Sequence, residues 1–181
     1  MTMLEYVYRQ YAKHLYNYGS KFSQETELIE DSIQELFLTL WTRREYLGRP
    51  ANFKNYLFKA FRMTLFKKLK LLEGRVDYDD IENYHFQVTL SVEDHIISVE
   101  SSKAIANKLQ ESLNELTPRQ REAIFLKFYE GLSYEEIAQV MGISIKGSYK
   151  LIARAINALK EQLPSDKLAL LFFLLTYRID P

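Results

Sequence analysis

Ser144, Lys146, Tyr149, Lys150 and Arg154 fall in one short stretch: Lys146, Lys150 and Arg154 recur every four residues, and Tyr149 follows Lys146 by three. On a helix that spacing gathers them on one face. Ammonium and guanidinium groups pair with phosphates, and guanidinium and hydroxyl groups read base edges. A helix carrying them near its N-terminus has the chemistry of major-groove docking. Lys59, Arg62, Phe66, Lys67 and Lys70 form a second set, with Met63 among them. Phosphates want cations and unpaired bases want a flat partner, so this set suits single-stranded nucleic acid. A membrane-surface helix is basic and amphipathic too. Asp31, Gln34, Glu35 and Leu38 form a third set, a leucine among acids and an amide. A protein-docking patch has that make-up, and so does an ordinary solvated face.

Other chemistries have little to stand on. The 181 residues contain no cysteine, which removes disulfides, thiol catalysis and cysteine-ligated metals. His14, His85 and His95 are scattered, and no His-x-x-x-His or glycine-rich phosphate loop is present. We therefore expect no catalytic residue, no metal site and no cofactor. No apolar run reaches the roughly 18 residues of a membrane span, and no signal pattern opens the chain. The sequence predicts a soluble, cytoplasmic protein.

Net charge is zero, 24 basic against 24 acidic residues, which taken whole argues against a nucleic-acid partner. The blocks say otherwise. Residues 43–75 carry ten basic and two acidic side chains; residues 76–100 carry seven acidic and no Lys or Arg. Segregated charge makes a local field that the total conceals. The acidic run would fold back on the basic face or fill a positive nucleic-acid channel.

The elements that must position these sets are helical. Apolar periodicity near 3.6 predicts helices over about 2–18, 25–44, 53–72, 101–114, 118–130, 134–141 and 145–162. A short one is expected near 92–98. The first should bury Leu4, Val7, Tyr8, Tyr11, Leu15 and Tyr18. The second should bury Ile29, Ile33, Leu36, Phe37 and Leu40, and the third Leu57, Phe58, Phe61, Leu65 and Leu72. Lys68, near that last stripe, should snorkel outward. The fold class is all-α: two small helical domains, 1–73 and 101–163, joined by an acidic linker 74–100 and followed by an apolar tail 164–181. The tail run 168–175 either packs on the protein's own helices or covers a binding surface.

The sharpest local signals lie in the C-terminal domain. Thr117-Pro118-Arg119-Gln120 and Ser133-Tyr134-Glu135-Glu136 are capping boxes, and Ser144 caps a third helix. Gly131 and Gly142 sit where stops and tight turns need positive φ. Two helices joined by a short glycine turn make a helix-turn-helix. Ser148, Ile152, Ala155, Ile156 and Leu159 should back its second helix against the core.

These strings together resemble the bacterial RNA polymerase sigma factors of the extracytoplasmic-function (ECF) group, in the sigma-70 family. Residues 30–41, with Asp31, Gln34-Glu35, Phe37 and Trp41, are similar to the family's polymerase-clamp-binding helix. Residues 52–62 are similar to its −10 segment. Leu116–Glu122, Leu132–Ala138 and Met141–Ser144 are similar to its −35 domain. Met63 stands where the family often has Asn, and Gly147-Ser148 where it usually has Thr-Val. Glycine within a helix costs about 1 kcal/mol against alanine, so the start of the recognition helix would be either loosely anchored or tuned to an unusual sequence.

The resemblance implies an alternative sigma factor with two principal partners, core RNA polymerase and promoter DNA, and admits an anti-sigma factor. It implies that Asp31, Gln34, Glu35 and Leu38 dock on polymerase. Lys59, Arg62, Phe66, Lys67 and Lys70 would meet the opening −10 strand, and Ser144, Lys146, Tyr149, Lys150 and Arg154 the −35 duplex. The competing reading is a helix-turn-helix regulator that binds duplex DNA alone, which leaves the first domain's two sets without a use.

Overall fold

A computed structural model describes residues 3–44, 52–72, 84–89, 100–165 and 167. All regular structure among them is helical: α1 Met3–Gly19, α2 Thr26–Thr42, α3 Phe53–Leu72, α4 Glu100–Asn114, α5 Pro118–Ile124, α6 Tyr134–Met141 and α7 Ile145–Gln162. The chain divides into two compact units, 1–85 with 139–142, and 86–138 with 143–181. The division falls inside the acidic stretch read as a linker. The short helix expected near 92–98 and the apolar run 168–175 lie outside the described residues.

In the first unit α1, α2 and α3 pack around one aromatic core. Ile29, Ile33, Leu36, Phe37 and Leu40 of α2 are buried as their spacing predicts, as are Leu57, Phe58, Phe61 and Leu65 of α3. Tyr18 of α1 meets Phe58 and Phe61 with ring centroids 5.3 and 6.3 Å apart. The closest approach is at Gly19. A Cβ there would lie 2.8 Å from Ile29 Cγ2 and 2.9 Å from Phe61 Cζ, so only glycine admits both.

Two members of the expected stripes, Tyr8 and Leu72, are exposed, and Tyr11 is half-buried. Tyr8 is exposed, because the packed line of α1 runs through Val7, Leu15 and Tyr18 and leaves Tyr8 at its margin. Its ring lies edge-on to Phe37 at 5.0 Å. Leu72 is exposed together with Leu71 at the end of α3, which has 20 residues against the 17 of α2.

The second unit is built on its caps. Thr117 Oγ1 accepts the Gln120 N–H at 3.3 Å, and Gln120 Oε1 accepts the Thr117 N–H at 2.9 Å. Ser133 and Glu136 repeat this reciprocal pair at 3.2 and 2.6 Å. Gly131 takes a φ of +69°, as the stop requires, and Gly142, in the stretch 139–142 grouped with the first unit, takes +66° at the turn before α7. One feature carries no mark in the periodicity: α5 widens into a π turn over Phe125–Tyr129, with the Glu130 N–H donating to the Phe125 carbonyl. Phe125 and Tyr129 then stack nearly parallel, centroids 4.7 Å apart, and Phe86 packs on Phe125 at 5.8 Å.

Replacing Gly19 tests the first core. Gly19→Val forces methyl groups into Ile29 and Phe61 and should cost about 1–3 kcal/mol, the usual penalty of overpacking. A urea titration followed by far-ultraviolet circular dichroism should show the first unit unfolding earlier. An unchanged midpoint would mean that the helices do not approach this closely.

Candidate functional site

Three surfaces carry the residues singled out by type and spacing. On α2, Asp31, Gln34, Glu35 and Leu38 are all exposed, on the side opposite the buried stripe. Leu38 is 65% exposed, too much for a core residue. Beside it Tyr8, Gln34, Phe37, Leu38 and Trp41 line an open hollow of about 310 Å³. Trp41 is held by Arg44, whose guanidinium lies 4.4 Å from the ring centre and whose Nη1 donates to the Trp41 carbonyl at 2.8 Å. Tyr8 and Trp41 therefore belong to this surface, although periodicity put Tyr8 in the core. Glu35 pairs with Lys68 of α3 at 3.3 Å, which is where the snorkelling lysine goes. Both side chains are partly exposed, so the pair contributes at most about 1 kcal/mol.

On α3 the expected basic-aromatic face divides. Lys59 and Lys67 are exposed, and Phe66 and Lys70 are half-buried. Arg62 is not displayed: it is 7% exposed. Its guanidinium lies 4.3 Å from the Phe66 ring centre and 5.4 Å from that of Tyr84. Tyr84 also meets Phe66 at 5.2 Å and Phe22 at 5.6 Å. Helical spacing grouped Arg62 with Phe66, which it contacts, but could not register a ring arriving from 22 residues on. Met63, in the position noted above, is exposed.

On α7, Ser144, Lys146, Tyr149, Lys150 and Arg154 are all exposed. Ser148, Ile152, Ala155 and Leu159 face the core as expected, and Ile156 is half-buried. The helix start is capped and tied beneath. Ser144 Oγ accepts the Gly147 N–H at 3.0 Å. A Cβ on residue 147 would lie 3.1 Å from that oxygen, so glycine leaves the cap room. Ser148, fully buried, has its hydroxyl 2.8 Å from the carbonyls of both Tyr134 and Ile145. Its one proton serves either, and the bond to Tyr134 ties α7 to the start of α6. A buried Thr-Val type of packing is thus replaced by a hydrogen bond.

A second tie orients the face itself. Tyr149 stacks on Tyr134, centroids 3.9 Å apart and 16° from parallel. Lys127 Nζ sits 4.6 Å from the Tyr134 ring centre and donates to the Leu132 carbonyl. Nearby, the Glu135 carboxyl is held below the usual glutamate range, first by its own backbone N–H, then by the Ser133 hydroxyl and the Lys127 charge. Burial lowers Arg121, whose Nη1 donates to the Asn114 carbonyl at 3.1 Å. Among the described residues no group of acidic or histidine side chains could hold a metal, and no helix is long and apolar enough to cross a membrane.

One helical unit thus shows an exposed acidic and apolar face, and the other a helix-turn-helix with its cations turned outward. Residues 7–70 match the family profile for Sigma-70 region 2, and residues 106–159 that for Sigma-70 region 4. The chain belongs to the sigma-70 family, in its extracytoplasmic-function group. It is 26% identical over 155 residues to the ECF RNA polymerase sigma factor SigE of Mycolicibacterium smegmatis, covering 86% of this chain and 59% of that protein. It is 28% identical over 170 residues to the ECF RNA polymerase sigma factor BldN of Streptomyces coelicolor, covering 88% and 60%. The chain thus spans about 60% of the length of these two relatives. Among solved structures, the sigma factor RpoE of Bartonella quintana, crystallised with the anti-sigma factor NepR, shares the fold. Its TM-score is 0.61 at 23% identity, over 90% of this chain and 97% of that one.

Ser148→Ala removes the tie to α6 and leaves the Tyr134 carbonyl without that donor. The second unit should lose about 1 kcal/mol, read as a lower thermal midpoint. An unshifted midpoint would mean that packing alone seats the helix.

Proposed function

We propose that this chain is an alternative sigma factor: it binds core RNA polymerase, recognises the −35 and −10 promoter elements and directs initiation. The observation that carries this is the joint presence of two exposed surfaces of opposite character. One is an acidic and apolar patch with its hollow on α1 and α2. The other is a cationic helix face on an ordered helix-turn-helix. The first suits a protein partner and the second a nucleic acid. A regulator acting on duplex DNA alone needs only the second and gives the first unit no task.

In this reading Leu38 and Trp41 supply the apolar contact of the polymerase dock, and Asp31, Gln34 and Glu35 supply its polar rim. Lys59 and Lys67 meet backbone phosphates of the −10 strand, with Arg62, Phe66 and Lys70 behind them. Ser144, Lys146, Tyr149, Lys150 and Arg154 meet the −35 duplex, and Tyr134 sets the Tyr149 ring. The polymerase performs the chemistry, so the chain itself is no enzyme. It works where core polymerase is, in the cytoplasm, and an anti-sigma factor is a natural third partner, because covering either surface silences it.

The deciding experiment mixes the protein with bacterial core polymerase and a promoter library and reads initiation that neither component supports alone. Alanine at Asp31, Gln34 and Glu35 together should abolish co-purification with core polymerase while circular dichroism stays unchanged, since all three are exposed. Unaltered co-purification would remove the docking assignment. Lys146→Glu with Lys150→Glu should weaken binding to a −35 duplex. The slope of log affinity against log salt should flatten by about 0.9 for each phosphate that is no longer neutralised. No change in either would move duplex reading to another helix.

A further inference from the structure

Phe22, Arg62, Phe66 and Tyr84 form a box of three rings and a guanidinium in the first unit. Three of its walls also have contacts among themselves. Phe22 and Phe66 meet edge-on at 5.2 Å, and Arg62 lies on Phe66 at 4.3 Å. Phe22 is further held by Tyr18 at 5.1 Å. Phe22 follows directly on α1, and the other two belong to α3. Tyr84 differs in origin and exposure: it comes from the irregular segment 84–89, and it is half-buried where Phe22 and Arg62 are buried.

We propose that the three helix-anchored walls form a subsite for one unpaired nucleobase, and that Tyr84 is its intramolecular occupant, displaced when single-stranded promoter DNA arrives. This rests on the reading of α3 as the single-strand surface. A phenol ring and a pyrimidine are both flat six-membered rings, and both stack on an aromatic edge or a guanidinium plane. Lys59 and Lys67, exposed on the same helix, are placed for the phosphates flanking such a base. Residues 76–100, which contain Tyr84, carry seven acids and no Lys or Arg. The described part of the acidic stretch thus returns to the basic helix through a ring contact, where charge alone suggested an ionic one.

An occupied site binds its ligand less tightly by the fraction of time that it is open. Tyr84→Ala should therefore tighten binding of a fluorescent single-stranded oligodeoxynucleotide of mixed sequence to the full chain, by about threefold or more. Tyr84→Phe should behave as the parent, because the ring remains. Tyr84 is neutral, so the salt slope should not change. In parallel, Lys59→Ala with Lys67→Ala should weaken binding and flatten the slope whether or not Tyr84 is present.

If the lysine pair matters and Tyr84→Ala binds no more tightly than the parent, the occupant is refuted while the surface survives. Weaker binding by Tyr84→Ala would make the ring a DNA contact and equally refute it. If the lysine pair has no effect, the surface reading falls and this inference with it. Should Tyr84→Ala fail to fold, Tyr84→Trp in a Trp41→Phe background keeps a ring in the box and supplies the sole indole. Its emission should move to the red and open to iodide quenching as the oligonucleotide saturates. Emission unchanged at saturation would overturn the proposal.

Discussion

The first unit depends on the close approach of three helices at Gly19. Ile29 of α2 and Phe61 of α3 both reach the space that a side chain at this position would take. That contact is where the inward faces of α2 and α3 meet the end of α1. Once Phe58, Phe61 and Leu65 are buried, Lys59 and Lys67 have to emerge on the far side of α3. Once Ile33, Leu36 and Phe37 are buried, Asp31, Gln34, Glu35 and Leu38 have to emerge on the far side of α2. Both proposed surfaces of this unit are consequences of one packing constraint, and the Glu35–Lys68 pair joins them at the seam.

The second unit solves a different problem, that of holding a short helix steady while its outer face stays free. Caps do most of this work, because they satisfy the N–H groups at helix starts that nothing else in the helix can satisfy. Ser144 closes the start of α7, and Ser148 fastens it to α6 from beneath. The Lys127–Tyr134–Tyr149 stack then restrains one of the outward side chains before any ligand is present. A side chain ordered in advance loses less freedom on binding. Gly147 and Ser148, which as bare sequence suggest weakness, are parts of this anchoring.

Net charge proved to be the least informative number in the sequence, and block charge the most. Even block charge suggests only that an acidic stretch opposes a basic one. What the structure places against the basic helix is Tyr84, and the contact is made of rings and a guanidinium. Aromatic contacts are directional and short in range, whereas the field of a charged block is diffuse. An acidic stretch can thus be drawn to a basic face by its charge and meet it through a ring as well.

Most of the architecture was legible in the residues themselves. Helix bounds, both capping boxes, the positive-φ glycines and the buried stripes of α2, α3 and α7 follow from local rules: a 3.6-residue period, orphan N–H groups, and the freedom of glycine. The exposed acidic and apolar face of α2 and the outer face of α7 follow from the same period, because a helix that buries one side shows the other. What only the tertiary structure decided depends on residues far apart in the chain. Tyr8 left the core because α1 packs along Val7, Leu15 and Tyr18. Arg62 was covered because Tyr84 reached it. Ser148 became a tie because the Tyr134 carbonyl lay within reach. Periodicity assigns a side chain to a face; what stands opposite that face is settled by packing in three dimensions.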